Sequence, residues 1–213
     1  MSEDQTNKAK LYRSALTSKP IAIMDARVII ASKSEIPRRE PFNGIIELAD
    51  LNDLSMRKAI EAINIFFWAS VEQEVFGRTY NVFDCENYIA RANKSESSKS
   101  HPEFRDLVGQ VAIKEGKGFL HIVVLHVCPE WHGRGVGKML VNRAVDEARE
   151  RGFKTVKLGT TNDNIPALYF YQRLGFVIEK IVPDAVGDDA NIPQSGFAGL
   201  PVRDEIQMKL DLD

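Results

Sequence analysis

His132-Gly133-Arg134-Gly135-Val136-Gly137-Lys138 puts three glycines and two cations into seven residues. An apolar, β-branched run precedes it, from Phe119 to Val127, and Cys128-Pro129-Glu130-Trp131 turns the chain between the two. Behind it, Leu140, Val141, Ala144, Val145 and Ala148 recur at helical spacing within Met139 to Arg151. Strand, glycine-rich turn, helix is a phosphate cradle. Glycines let the backbone approach an anion, and the first amides of the helix aim unpaired N–H groups at it. Arg134 and Lys138 add charge at the rim. A P-loop is excluded, because it needs a glycine where His132 stands and Ser or Thr where Met139 stands. A dinucleotide fingerprint is excluded too, because it needs a glycine in place of Lys138.

A second pattern follows at Asn164-Ile165-Pro166-Ala167-Leu168-Tyr169-Phe170-Tyr171-Gln172-Arg173-Leu174-Gly175-Phe176. Asn164 can cap a helix, Pro166 suits its first turn, and Gly175 ends it. Together the two patterns resemble the GNAT superfamily of CoA-dependent N-acetyltransferases. That family's loop reads Gln or Arg, two residues, Gly, one residue, Gly or Ala. Gly135 and Gly137 match it, and His132 departs from the Gln or Arg. Its later helix carries the order found here in Asn164, Ala167, Phe170, Tyr171, Gly175 and Phe176. The opening, Ile45-Ile46-Glu47-Leu48 then Ala49 to Asp53 then a long helix, is similar as well.

The resemblance implies an α/β fold, a mixed and strongly twisted sheet of about six or seven strands with helices on both faces. It implies acetyl transfer from acetyl-CoA to a primary amine, by direct attack in a ternary complex, without a metal. By the same resemblance His132, Gly133, Arg134, Gly135, Val136, Gly137, Lys138 and Asn164 contact CoA. The pantetheine arm slots between strands 119–127 and 154–160, and the backbone N–H of Val127 or a neighbour points at the thioester oxygen. A preorganised donor of this sort lowers a barrier by about 3–4 kcal/mol. Tyr171 stands where the family's tyrosine protonates the departing thiolate.

His121 stands where the histone-acetyltransferase branch has a glutamate base. An ordinary imidazole, with a pKa near about 6.5, suits that task at neutral pH. The competing readings are a histidine satisfied by cross-strand hydrogen bonds, Glu130, or a water relay. His126, next to Val127, should point to the opposite face from it. Tyr169 is read as packing. Cys85 and Cys128 are not expected to be nucleophiles, since the family forms no acyl-enzyme. A small-molecule amine is the favoured acceptor. A protein lysine or N-terminus is the alternative, and a non-catalytic CoA-binding sensor or scaffold is the alternative of another class.

Several elements must position these groups. Met56, Ile60, Ile63, Phe67 and Val71 make one long amphipathic helix, with Phe66, Phe67, Trp68 and Phe76 crowded at its far end. Tyr88 to Ala92 fits a strand or a helix. Leu107 to Ile113 reads as a strand, Lys114 to Gly118 as a turn, and Lys154 to Thr160, Val177 to Val182 and Glu205 to Leu212 as further strands. Residues 93–102 read as a loop. Residues 1–42 form an extension with short strands at 21–23 and 28–30 and a linker at 32–41. An N-acetyltransferase domain fills 43–213 and carries a long loop at 183–203.

The chain has 213 residues and a net charge of −2 from 28 basic and 30 acidic side chains, so no basic excess points to nucleic acid. Apolar runs are too short to span a bilayer. Two cysteines give no disulfide framework, and the polar start with Glu3 and Asp4 fits neither a secretory nor a mitochondrial leader. The expected compartment is the cytoplasm, with the nucleus allowed, and homodimerisation is left open.

Overall fold

A computed structural model of the chain describes residues 39–93, 104, 106–186 and 195–213. The short strands expected at 21–23 and 28–30, nearly all of the 93–102 loop and the middle of the 183–203 loop lie outside them. Among the described residues no helix is long and apolar enough to cross a membrane.

Strand β1 (Ile45–Leu48) leads into helix α1 (Leu54–Trp68). Asp53 caps α1 by accepting the Ser55 N–H at 2.8 Å. The apolar spacing predicts a helix out to Val71, but Ala69 turns left-handed (φ 57) and its N–H closes on the Ile65 carbonyl. Two strands that the spacing did not reveal follow, β2 (Glu72–Val75) and β3 (Arg78–Asn81), joined by Phe76-Gly77 with φ of 56 and 64. Positive φ at both central residues gives the turn whose twist matches a hairpin. Its strands are mostly polar, which hid them. Strand β4 (Glu86–Arg91) settles the 88–92 ambiguity in favour of a strand.

Next come β5 (Leu107–Glu115) and β6 (Leu120–Val127), then helix α2 (Val136–Glu150). Helix α2 starts three residues before Met139, so Gly137 and Lys138 lie inside its first turn. After it run β7 (Thr155–Thr161), α3 (Ile165–Arg173), β8 (Val177–Val182) and β9 (Glu205–Asp211).

Seven strands form one sheet in the order β1-β4-β5-β6-β7-β9-β8, and β2-β3 is a separate two-stranded sheet. Only β6 and β7 run parallel. Helix α1 covers one face: Asn64 Nδ2 donates to Gln110 Oε1 of β5 at 2.8 Å. Helix α2 covers the other, where Val136 and Leu140 crowd against Gly109. Leu140, Ala144 and Ala148 are fully enclosed there, and truncating a leucine at such a site costs about 2–5 kcal/mol.

Candidate acyl-transfer site

The glycine loop has the geometry its sequence promises. Gly133 and Gly135 have φ of 76 and 92, a region closed to ordinary side chains. Gly135 is the N-cap of α2, so the N–H groups of the first turn have no intrahelical acceptor and collect at one point. At Gly137 a β-carbon would come within 3.2 Å of the Phe170 ring, which fixes how closely α3 approaches the loop. Lys138 lies in the same turn.

The flanking cations are busier than the sequence suggested. Arg134 stacks its guanidinium over the Trp131 ring, 4.2 Å from the centroid, and its Nε donates to the Glu40 carbonyl at 2.9 Å. Arg39 donates through Nη1 to the His132 carbonyl at 2.9 Å, and the Phe42 N–H bonds the Arg134 carbonyl at 2.9 Å. Residues 39–42 are therefore laced onto the glycine loop. His132 donates through Nε2 to the Val127 carbonyl at 2.8 Å, which ties the loop to the end of β6.

Strands β6 and β7 pair only at Leu120–Val156, His121–Lys157 and Ile122–Leu158. Beyond that point they separate, although β6 continues to Val127 and β7 to Thr161. The Cys128 N–H bonds the Val108 carbonyl on β5. Because antiparallel residues alternate between bonding a neighbour and facing away, Val127 turns its N–H and C=O toward the gap. An extended ligand could enter there as an extra strand.

Helix α3 borders the same region. Asn164 caps it by accepting the Ala167 N–H at 3.2 Å. Tyr171 is 7% exposed, packed against Phe170 and Phe176. Its burial raises the phenol pKa, and its hydroxyl is held by no hydrogen bond among the described residues. Tyr169, read from sequence as packing, is 55% exposed, because it lies on the solvent side of α3. Cys128 is buried beside the end of β6, and burial pushes its thiol pKa well up; burial also raises Cys85, to about 11. Neither thiol is primed as a thiolate.

The two histidines of β6 do not obey simple alternation. Ile113 faces Ile122 and Ala112 faces Val124, so β6 carries one extra residue, a bulge. Positions on its two sides therefore swap faces. His126 points away from Val127, as expected, and His121 joins it on the α1 face. His126 stacks on Phe67 at 4.6 Å and receives the Trp68 Nε1–H at 3.3 Å. His121 stacks on Phe76 of the hairpin turn at 4.6 Å, with Tyr80 edge-on. It is 1% exposed, and neither of its ring nitrogens has a hydrogen-bond partner among the described residues. Burial pulls its pKa down to about 4 and that of His126 to about 3. The cross-strand hydrogen bonds that would satisfy a structural His121 are absent among the described residues.

Glu205, at the start of β9, was not singled out from the sequence. Its Oε1 accepts the Phe76 N–H at 2.7 Å and its Oε2 the Gln207 side-chain N–H at 2.8 Å. An acidic residue opening a terminal strand was the only signal available, and it is a common one.

A glycine-capped helix start beside a split parallel strand pair defines a protein built to hold an extended, phosphate-bearing ligand. The sequence profile of the Acetyltransferase (GNAT) family matches residues 61–176, more than half of the chain. The protein belongs to that family and is an acyltransferase. The uncharacterized protein YxbD of Bacillus subtilis is 37% identical over 159 residues, 71% of this chain and 92% of that protein. Streptothricin acetyltransferase of Streptomyces lavendulae is 37% identical over 73 residues, 33% of this chain and 39% of that protein. A Bacillus subtilis acetyltransferase solved in complex with CoA shares the fold, with a TM-score of 0.53 at 24% identity, over 80% of this chain and all of that one.

Proposed function

We propose that this protein transfers an acetyl group from acetyl-CoA to a primary amine of a small molecule, by direct attack in a ternary complex. The observation that carries the reading is the gap between β6 and β7, which opens beyond Ile122 and Leu158 next to the unbonded amides of α2. The partial likeness to streptothricin acetyltransferase supports a small acceptor.

Acetyl-CoA, when bound, supplies an acyl group already activated as a thioester. The backbone of Gly133, Gly135, Val136, Gly137 and Lys138 holds the pyrophosphate, with Arg134 and Lys138 adding positive charge. His132 steadies the Val127 carbonyl, and Asn164 contacts CoA while capping α3. The Val127 N–H polarises the carbonyl under attack. Tyr171 Oη gives its proton to the leaving sulfur. Burial raises the phenol, and the same apolar walls would raise a thiolate beside it, so the proton passes between two groups shifted alike.

His121 is the candidate proton acceptor. With its pKa pulled to about 4 it is neutral at working pH. A free ammonium has a pKa near about 10, so removing its proton outright to such a ring is strongly uphill. An ammonium has no lone pair, so the amine first releases one proton to solvent and attacks in its neutral form; His121 takes the second proton late, from the nitrogen made acidic by attack on the carbonyl.

Free-thiol release from acetyl-CoA, measured against small amines, amino acids, polyamines and peptides, tests the proposal. Release with one small-amine class is the expected result. Release only with peptides would move the acceptor to protein, and tight CoA binding without release would leave a sensor.

A further inference from the structure

The apex of the β6–β7 split has a carboxylate over it. Gly159 is the first residue of β7 past the last β6–β7 pair, Ile122–Leu158. A β-carbon at Gly159 would stand 2.9 Å from Glu205 Oε1 and 2.8 Å from Val75 Cγ1. Any side chain there would displace the carboxylate or the hairpin. Register puts Lys157, Gly159 and Thr161 on one face of β7. Thr161 pairs with Glu205 and Lys157 with His121. Glu205, Gly159 and His121 thus share the α1 face, the face on which Phe76 and Tyr80 of the hairpin also sit.

Glu205 is half-buried, and among the described residues no Lys, Arg or His lies within ion-pair distance of it. Both of its hydrogen bonds come from neutral donors, the Phe76 backbone and the Gln207 amide. They orient the carboxylate and leave acceptor capacity on each oxygen. Nearby Lys157 is already paired with Glu179 at 2.7 Å. Phe76 also occupies a left-handed conformation that a phenylalanine rarely adopts, and that strain brings its N–H to Glu205 and its ring to His121.

We propose that Glu205 is the acceptor-docking residue: it receives the ammonium group of the substrate amine at the apex of the split, which makes aliphatic, cationic amines the substrate class. This rests on the N-acetyltransferase reading above. The amine docks as a cation, and its charge separates the class from arylamines, which are neutral at pH 7.

The test uses the full chain loaded with CoA, titrated with n-butylamine and with spermidine and followed by intrinsic tryptophan fluorescence. Trp68 reports through its bond to His126 on the same face. Glu205→Gln keeps an oxygen for the Phe76 N–H while removing the charge, so the hairpin anchor survives. Its half-saturation for both amines is expected to rise at least tenfold, with acetyl-CoA affinity unchanged. In turnover the amine KM should rise while the acetyl-CoA KM stays, and aniline should serve both proteins equally poorly. Equal half-saturation in the two proteins, or no response of the wild type to either amine, overturns the proposal. Gln207→Leu, which removes only the orienting donor, should give a smaller rise in the same direction. Failure to bind acetyl-CoA at all would instead defeat the acyltransfer mechanism, independently of the amine titration.

Discussion

The two sides of the β6–β7 split are built differently. On the loop side, from His132 to Phe176, the prominent features are backbone ones: two left-handed glycines, the open amides of α2 and a strand edge turned toward a gap. On the α1 side they are side chains: His121 and His126 stacked on aromatic rings, and Glu205 held by Phe76 and Gln207. Backbone recognition needs a fixed local conformation and therefore a fixed local sequence. Side-chain recognition needs only that distant residues meet. The first suits a ligand common to a whole family, and the second suits an acceptor that differs from member to member.

Perturbing each side sharpens the contrast. Tyr171→Phe should lower kcat by about 100-fold or more, the range for losing a general acid, with little change in acetyl-CoA affinity. Equal kcat at saturating acetyl-CoA would remove Tyr171 from the chemistry. Gly135→Val forces a β-branched residue to φ 92. At a cost of about 2 kcal/mol it should weaken acetyl-CoA binding roughly 30-fold while leaving any amine response of the α1 face intact. Calorimetry with CoA decides this, and unchanged affinity would mean the loop conformation does not matter.

The α1 side should fail with pH instead. His121 titrates near 6.5 when unfolded and near about 4 when folded. Between those values the unfolded chain binds more protons, so stability falls as pH drops from about 6.5 toward 4, by about 3 kcal/mol in total. His126 acts in the same direction. Denaturant melts of wild type and His121→Phe at pH 7.5 and 4.5 should show a smaller acid loss in the variant. Identical losses would place the titration elsewhere. The smallest effect is expected for Phe76→Gly, which relieves the left-handed strain but loses the ring stack on His121. A net destabilisation of about 1 kcal/mol should appear in the melt, and the amine KM should shift more than the acetyl-CoA KM.

Legibility followed the same division. The loop glycines, the Asn164 cap and the order of β5, β6, α2, β7 and α3 could be read directly, because each depends on neighbours within a few residues. The 72–81 hairpin could not, since Glu72-Gln73-Glu74 and Arg78-Thr79-Tyr80-Asn81 carry no apolar alternation and their pairing is fixed by the Phe76-Gly77 turn. The bulge in β6 could not be read either, yet it decides that His121 and His126 share a face.

By itself, then, the sequence determined the family, the glycine turn that opens α2 and the strand–helix order around it, because period, capping and φ > 0 glycines are local properties of the chain. Tertiary structure alone decided where β6 and β7 part, which way His121 points, how far burial shifts it, and that Glu205, 46 positions along the chain from Gly159, stands over the gap. Those outcomes depend on register and desolvation, which exist only once distant segments have packed.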